Sequence, residues 1–155
     1  MARLTLATPL DVRLLDKGLS VGEALAAFNA AHEQAGGIVS FLGKVRPDGN
    51  VKALELTHYE PLTHSGMAAL AQSAQARFGL GGVLVWHRIG VMRPGEAIVL
   101  VAAAAQHRRD AFEAADYLMD HLKSAAWFWK REKRDDGWHW ITPRERDHAD
   151  LARWN

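Results

Sequence analysis

Along residues 106–132, apolar and polar positions follow the period of a helix. Ala111, Ala115, Leu118, Met119 and Leu122 fall at spacings of three and four and draw one stripe, with Asp110, Glu113, Asp116, Asp120 and Lys123 largely off it. The spacing predicts a helix over 108–124, with Asp110 and Glu113 at its positive end and Lys123 at its negative end. Ahead of it, 97–104 is apolar on both faces, as expected of a central strand covered on two sides. Beyond it, Asp136-Gly137 separates a strand over 128–133 from one over 138–142, a strong hairpin signal.

The same patterning orders the rest of the chain. Residues 3–8 alternate enough for a first strand, with a second at 12–15. Ser20 followed by Glu23 is a capping box, so a helix is expected over 21–33 with Leu25, Phe28 and Ala31 facing inward. Gly36-Gly37 ends it, and 38–45 reads as a buried strand. After the turn cluster Arg46-Pro47-Asp48-Gly49-Asn50, Leu54 and Leu56 alternate with Glu55 and Thr57 in a strand over 51–59. These two strands are expected to form a hairpin with Lys44 and Arg46 near its tip. A helix over 63–78 stops at Gly79, Gly81 and Gly82. A strand over 83–89 follows, then the turn Arg93-Pro94-Gly95-Glu96. Thr142-Pro143-Arg144-Glu145 looks like the capped start of a short C-terminal helix. With no repeats or linkers, the order predicts one α+β domain over 1–155, a largely antiparallel sheet with flanking helices and a C-terminal hairpin.

Composition narrows the functional classes. A net charge of +1 argues against a broad electrostatic hold on nucleic acid or membrane, so any anion site must be local. No apolar run approaches the roughly 18 residues of a membrane span, and no signal-peptide pattern opens the chain, which predicts a cytoplasmic protein. The absence of cysteine excludes disulfides, thiolate zinc sites and a sulfur relay on the chain's own thiol. His58 with His64, and His139 with His148, lack ligand spacing; exposed histidines are the plainer reading, and no metal is expected.

Candidate chemistry gathers in three basic places. A lysine acts as acid, base or nucleophile only when desolvation or neighbouring positive charge brings its pKa down from about 10.4 toward neutrality. Lys123 has Lys130 and Arg131 close in sequence and Trp127, Phe128 and Trp129 to exclude water, whereas Asp120, one turn back, offers a pairing that would keep it charged. A surface helix with solvated basic ends accounts for the same residues. Lys44 and Arg46 end a strand, where a scaffold can aim a side chain into a pocket; an exposed basic hairpin is the alternative. His107 and Arg108 open a helix, where free backbone N–H groups favour anions, or His107 is simply a cap.

The blocks Gly36 to Arg46 (GGIVSFLGKVR), His87 to Gly90 (HRIG), Arg93 to Glu96 (RPGE), Gln106-His107-Arg108 and LMDHLKSAAWFWKRE closely resemble, in family order, the large catalytic subunit of molybdopterin synthase, the MoaE family. Two departures stand out: Trp127 where the family often has proline, and Glu60-Pro61-Leu62 where it has PGM. The resemblance implies an α/β hammerhead fold. It implies that Lys123 is the essential lysine and Lys130 the second, that Lys130, Arg131 and Glu132 contact substrate, that Lys44-Val45-Arg46 meets the substrate phosphate, and that His107 and Arg108 belong to the site. Arg144 and Arg146 are further candidates for the same pocket.

The implied reaction moves two sulfurs from the Gly-Gly thiocarboxylate of a small ubiquitin-like carrier to cyclic pyranopterin monophosphate, leaving the dithiolene of molybdopterin. No metal or cofactor is implied on this subunit. His107 precedes Lys123 by 16 residues, about 24 Å of helix, so a site using both needs two copies of the chain; a homodimer is expected, and with two carriers a heterotetramer. Two rivals remain: a catalytically idle partner for a ubiquitin-like protein, against which the retained Arg46, Arg108, Lys123 and Lys130 argue, and an RNA-binding domain built on 130–134 with the tryptophans.

Overall fold

The computed structural model describes residues 10–125, 127–142 and 145–154. The elements run β1 (Leu10–Leu15), α1 (Val21–Ala31), β2 (Gly37–Lys44), β3 (Ala53–His58), α2 (Leu62–Phe78), β4 (Gly82–Arg88), β5 (Gly90–Met92), β6 (Ala97–Ala105), α3 (Arg108–Ser124), β7 (Phe128–Arg134), β8 (Gly137–Ile141) and α4 (Glu145–Ala152). The strands form two four-stranded sheets, in the orders β1-β4-β6-β2 and β5-β3-β7-β8. β1 runs parallel to β4, and the other pairings are antiparallel.

β6 is interior to its sheet, and Ile98 to Ala105 are buried throughout, as a run apolar on both faces requires. Its two faces feed two cores. Leu84, Trp86, Leu100, Ala102 and Ala104 pack with Ala24 and Phe28 of α1. Val83, Val85, Val99, Val101 and Ala103 pack with Met67, Leu70 and Ala74 of α2, with Ala111, Ala115, Leu118 and Leu122 of α3, and with Leu54, Leu56 and Met92 of the second sheet. The α3 stripe is buried as its spacing predicts, although Asp120 is buried beside it. Its carboxylate accepts from Arg153 Nη2 and Trp154 Nε1, each at 2.6 Å, which ties the C-terminal residues to the helix.

Several expectations are corrected. β2 and β3 do not form a hairpin: β2 pairs with β6 and β3 with β5 and β7, in different sheets. Alternation gives a strand its face but not its partner, and the long connection over 45–52 lets the chain change sheets. Ser20 makes no side-chain capping bond; its carbonyl accepts from Ala24 N–H at 2.9 Å, and α1 faces inward with Ala24 and Phe28 buried and Leu25 packed half-buried against them, whereas Ala31 is exposed. The strand expected at 3–8 lies outside the described residues, as do Arg144, the side chain of Arg146 and most of the cap expected at 142–145.

The HRIG and RPGE blocks do structural work. β4 leaves the first sheet at Arg88 and β5 enters the second at Gly90, whose φ of +88° is open to glycine. Arg88 Nη1 donates to Glu96 Oε2 at 2.9 Å, and the Arg93 N–H donates to the same oxygen at 3.0 Å, so the crossing and the turn are clamped together. His87, just before the crossing, is buried; its ring stacks on Phe128 at 4.0 Å and 18°. Burial holds His87 far below its ordinary pKa, at about 3, with the charges of Lys130 and Lys123 adding to the effect.

Trp127, the residue standing in place of proline, is anchored at both ends. Its carbonyl accepts from Tyr59 N–H at 3.1 Å and Thr63 Oγ1 at 3.4 Å, and its ring lies on Gly66 of α2, where an added Cβ would come within 2.5 Å of it.

Two outcomes follow from this packing. Gly66→Ala should lower stability by about 1–3 kcal/mol despite alanine's helix propensity, because a ring cannot give way as a flexible chain end does. Gly22→Ala in α1, where nothing lies within 4 Å, should instead add up to about 1 kcal/mol. Denaturant melts giving both changes the same sign would refute this account of Trp127. His87 supplies the second outcome. Between pH 6.5 and about 3 the unfolded chain binds a proton that the folded chain refuses, so stability is full above pH 6.5 and falls with acid. On going from pH 7.5 to 5, wild type should lose about 2 kcal/mol more than His87→Phe; parallel pH–stability curves for the two proteins would contradict the buried neutral ring.

Candidate functional site

The site is built where the central strands of the first sheet end. Val99 of β6 lies opposite His87 of β4 on one side and Gly43 of β2 on the other. The register then slips between Gly43 and Lys44, which falls opposite Ala97. Val45 is buried at 3% exposure; its N–H donates to Glu96 O at 2.9 Å and its carbonyl accepts from Gly95 N–H at 2.8 Å. Val45 therefore points into the core and fixes the backbone on which Lys44 and Arg46, both exposed, stand. Among the described residues no carboxylate forms an ion pair with either cation.

α3 begins directly after β6 and packs back along β6 and β2, so its last turn returns to this end of the sheet. Lys123 sits there, exposed, close enough for its charge to act on the His87 ring. His107 and Arg108 are at the other end. His107 is the N-cap residue, extended at φ −119° and ψ 138°, without a side-chain capping bond. Gly36-Gly37 lie against Gln106 and Arg108, so close that a Cβ on Gly36 would overlap the Gln106 carbonyl. The GG pair in the first block thus serves the close approach of two chain segments.

β7 divides the basic-aromatic run between two faces, because successive strand residues point opposite ways. Phe128 and Lys130 share the inner face, Lys130 lying opposite the buried Leu56. Trp129 and Arg131 take the outer face: Trp129 lies 5.3 Å from Tyr59, and Arg131 Nε donates to Glu55 at 2.6 Å with its guanidinium 4.5 Å from the Trp138 ring. Glu132 accepts from Arg134 at 2.8 Å. The structure therefore brings Lys123 and Lys130 together around His87, with Lys44 and Arg46 on the same end of the sheet. It sets Arg131 on the far side of the strand, and His107 with Arg108 at the far end of the helix.

A cluster of cations at one end of a chain with net charge +1 has the local character that the sequence set as the condition for an anion site. Three other histidines have partners of their own: His64 with Val12 O at 3.1 Å, His139 with Asp136 at 2.6 Å, and His58 with Glu60 at 3.6 Å. Among the described residues no group of histidine and acidic side chains is arranged to hold a metal, and no helix is long and apolar enough to cross a membrane. Residue reasoning passed over His87, whose signal was a single polar ring inside the apolar run 83–89.

The comparisons with known proteins agree with one another. The family described as MoaE protein matches residues 14–125. The molybdopterin synthase catalytic subunit of Caulobacter vibrioides is 48% identical over 145 residues, covering 93% of this chain and 97% of that protein. Its namesake from Ralstonia nicotianae is 41% identical, covering 92% of this chain and 83% of that one. Among solved structures, the molybdopterin biosynthesis MoaE protein from Burkholderia ambifaria superposes with a TM-score of 0.81 at 36% identity, over 94% of this chain and 98% of its own. Molybdopterin synthase from Staphylococcus aureus, at 24% identity and a TM-score of 0.71, shares the fold. Family match, relatives and fold coincide over nearly the whole described chain, which belongs to the MoaE family.

Proposed function

We infer that this chain is the catalytic subunit of a molybdopterin synthase, a sulfurtransferase that places two sulfurs on cyclic pyranopterin monophosphate to form the molybdopterin dithiolene. The observation that carries the reading is the pair Lys123 and Lys130, delivered by a helix end and a strand to one buried histidine beside Lys44 and Arg46. Residues 1–155 act as one domain in the cytoplasm, and the core shared by both sheets supports the single domain.

The small partner is a ubiquitin-like carrier whose C-terminal Gly-Gly thiocarboxylate enters the site, as the absence of cysteine requires sulfur to arrive from outside. A protein of the same fold from Helicobacter pylori has been solved as a complex of subunits 1 and 2 of molybdopterin-converting factor. Each sulfur transfer passes through an acyl thioester that water cleaves. Arg46 with Lys44 holds the phosphate, a guanidinium offering two parallel donors to an anion; Val45, expected beside them, is buried with its N–H given to Glu96 and only fixes the backbone between the two cations. Lys123 moves a proton or steadies developing charge, and Lys130 assists. Glu132, on the inner face with Lys130, completes the substrate-contacting set; Arg131, expected there too, is turned to the outer face and paired with Glu55, where it steadies the strand that carries Lys130. His107 and Arg108 join the site from a second copy of the chain, making the protein a homodimer and, with two carriers bound, a heterotetramer.

Lys123→Ala should keep the fold and the carrier, costing under about 0.5 kcal/mol because alanine suits a helix, yet lose nearly all product. Near-normal turnover of the soluble variant would sink the assignment. Lys130→Ala should be severely impaired, with part of the loss in substrate affinity. The composite site predicts complementation. When Arg108→Ala and Lys123→Ala proteins exchange subunits, about half the dimers are mixed and each carries one intact site, so activity should recover to about a quarter of wild type. Demonstrated exchange without recovery would refute the two-chain site.

A further inference from the structure

Among the described residues, His87 is the one buried titratable ring at the site that the proposed roles leave unused, and its surroundings define what it can do. Its exposure is 6%, and its ring lies nearly parallel to Phe128 at 4.0 Å. Its Nδ1 is 2.9 Å from the Arg88 carbonyl oxygen. A carbonyl only accepts, so Nδ1 carries the ring's hydrogen, and a neutral ring with its proton on Nδ1 presents Nε2 as an acceptor. Phe128 and Lys130 point the same way from β7, one pleat apart at about 7 Å. The stack that holds Phe128 on the imidazole therefore also sets the root of Lys130 within a side chain's reach of it.

The charges around the ring agree with this tautomer. Lys130 from β7 and Lys123 from α3 both act on it and both disfavour its protonation. On its own strand Arg88 follows, engaged with Glu96, and on β3 His58 lies opposite Phe128. A ring that stays neutral among cations can receive an ammonium hydrogen where a charged one would repel it.

We propose that His87 is a positioning residue for the lysine pair, its Nε2 accepting a hydrogen bond from the Lys130 ammonium and holding that group near Lys123. Lysine has three hydrogens on its ammonium and a long flexible stem. One hydrogen fixed by the protein leaves two for substrate and removes the freedom that would otherwise blur the geometry. The inference rests on the catalytic reading of Lys123 and Lys130 above and gives that site a component neither lysine supplies.

The test is steady-state sulfur transfer with the thiocarboxylated carrier and cyclic pyranopterin monophosphate, comparing His87→Phe, His87→Gln, His87→Asn and Lys130→Ala with wild type. Phenylalanine keeps the stack and loses both nitrogens. Glutamine returns an amide oxygen near the Nε2 position, and asparagine returns only a donor near Nδ1. The expected result is a kcat about 30-fold lower or worse for His87→Phe with KM within about threefold. Glutamine should restore kcat to within about fivefold of wild type, and asparagine should not. If His87→Phe keeps kcat within about twofold while Lys130→Ala is inactive, the positioning role is overturned and the lysine site stands. If Lys130→Ala is itself active, the lysine site falls and the role of His87 with it. Glutamine as damaged as phenylalanine or, should phenylalanine fail to fold, no better than asparagine would reduce His87 to a packing residue.

Discussion

A strand that is apolar on both faces must have hydrogen-bonded neighbours at both edges and cover on both sides. β6 meets that demand with β4 and β2 at its edges, α1 on one face, and α2 and α3 on the other. The consequence for chemistry is direct. α3 leaves β6 after a two-residue link and has to fold back along it to bury Ala111, Ala115, Leu118 and Leu122. Its last turn then arrives where β4 and β2 meet the start of β6. Lys123, His87, Lys44 and Arg46 are neighbours because a core strand had to be sheathed.

The second sheet is positioned by the same end of the first. The chain crosses between sheets at Ile89-Gly90, and the crossing is braced by Arg88 on Glu96 and by Val45 on the Arg93–Glu96 turn. Phe128 stacking on His87 docks β7 against that crossing. Lys130 thus reaches Lys123 through tertiary packing, although only seven residues separate them in sequence. Trp127 fills the space over Gly66, so the segment between the lysines turns around a packed ring where the family often uses proline.

Most elements were legible because their signals are local. The α3 stripe, the doubly apolar β6, the Asp136-Gly137 hairpin and the Gly79 stop, which adopts φ +63°, each depend on a few adjacent residues. Strand partnership is not local. β2 and β3 are consecutive and joined by a turn-like cluster, yet they pair in different sheets, and β2, expected to be buried, is an edge strand that leaves Phe41 and Leu42 exposed. Asp120 was misjudged for a similar reason: periodicity put it off the stripe, but its partners Arg153 and Trp154 come from more than thirty residues away. The basic site was visible as motifs. Their division between the two ends of α3 followed from helix geometry, whereas His87 needed the ring stack and the sheet crossing to be seen.

Two elements measure the gap between the cation clusters independently. Along α3, His107 and Lys123 are separated by about 24 Å of helix rise. Along β2, Gly37 packs on Arg108 while Lys44 ends the strand seven residues later, about 23 Å away. A helix and a strand of matched length, lying against each other, hold His107 and Arg108 rigidly away from Lys123 and Lys130. No hinge within either element can close that distance without unpacking the core around Leu118 and Val101, both fully buried. A substrate held by both clusters, as proposed, therefore needs two copies of the chain, and a twofold axis is the simplest operation that makes each half meet its complement and leaves none open.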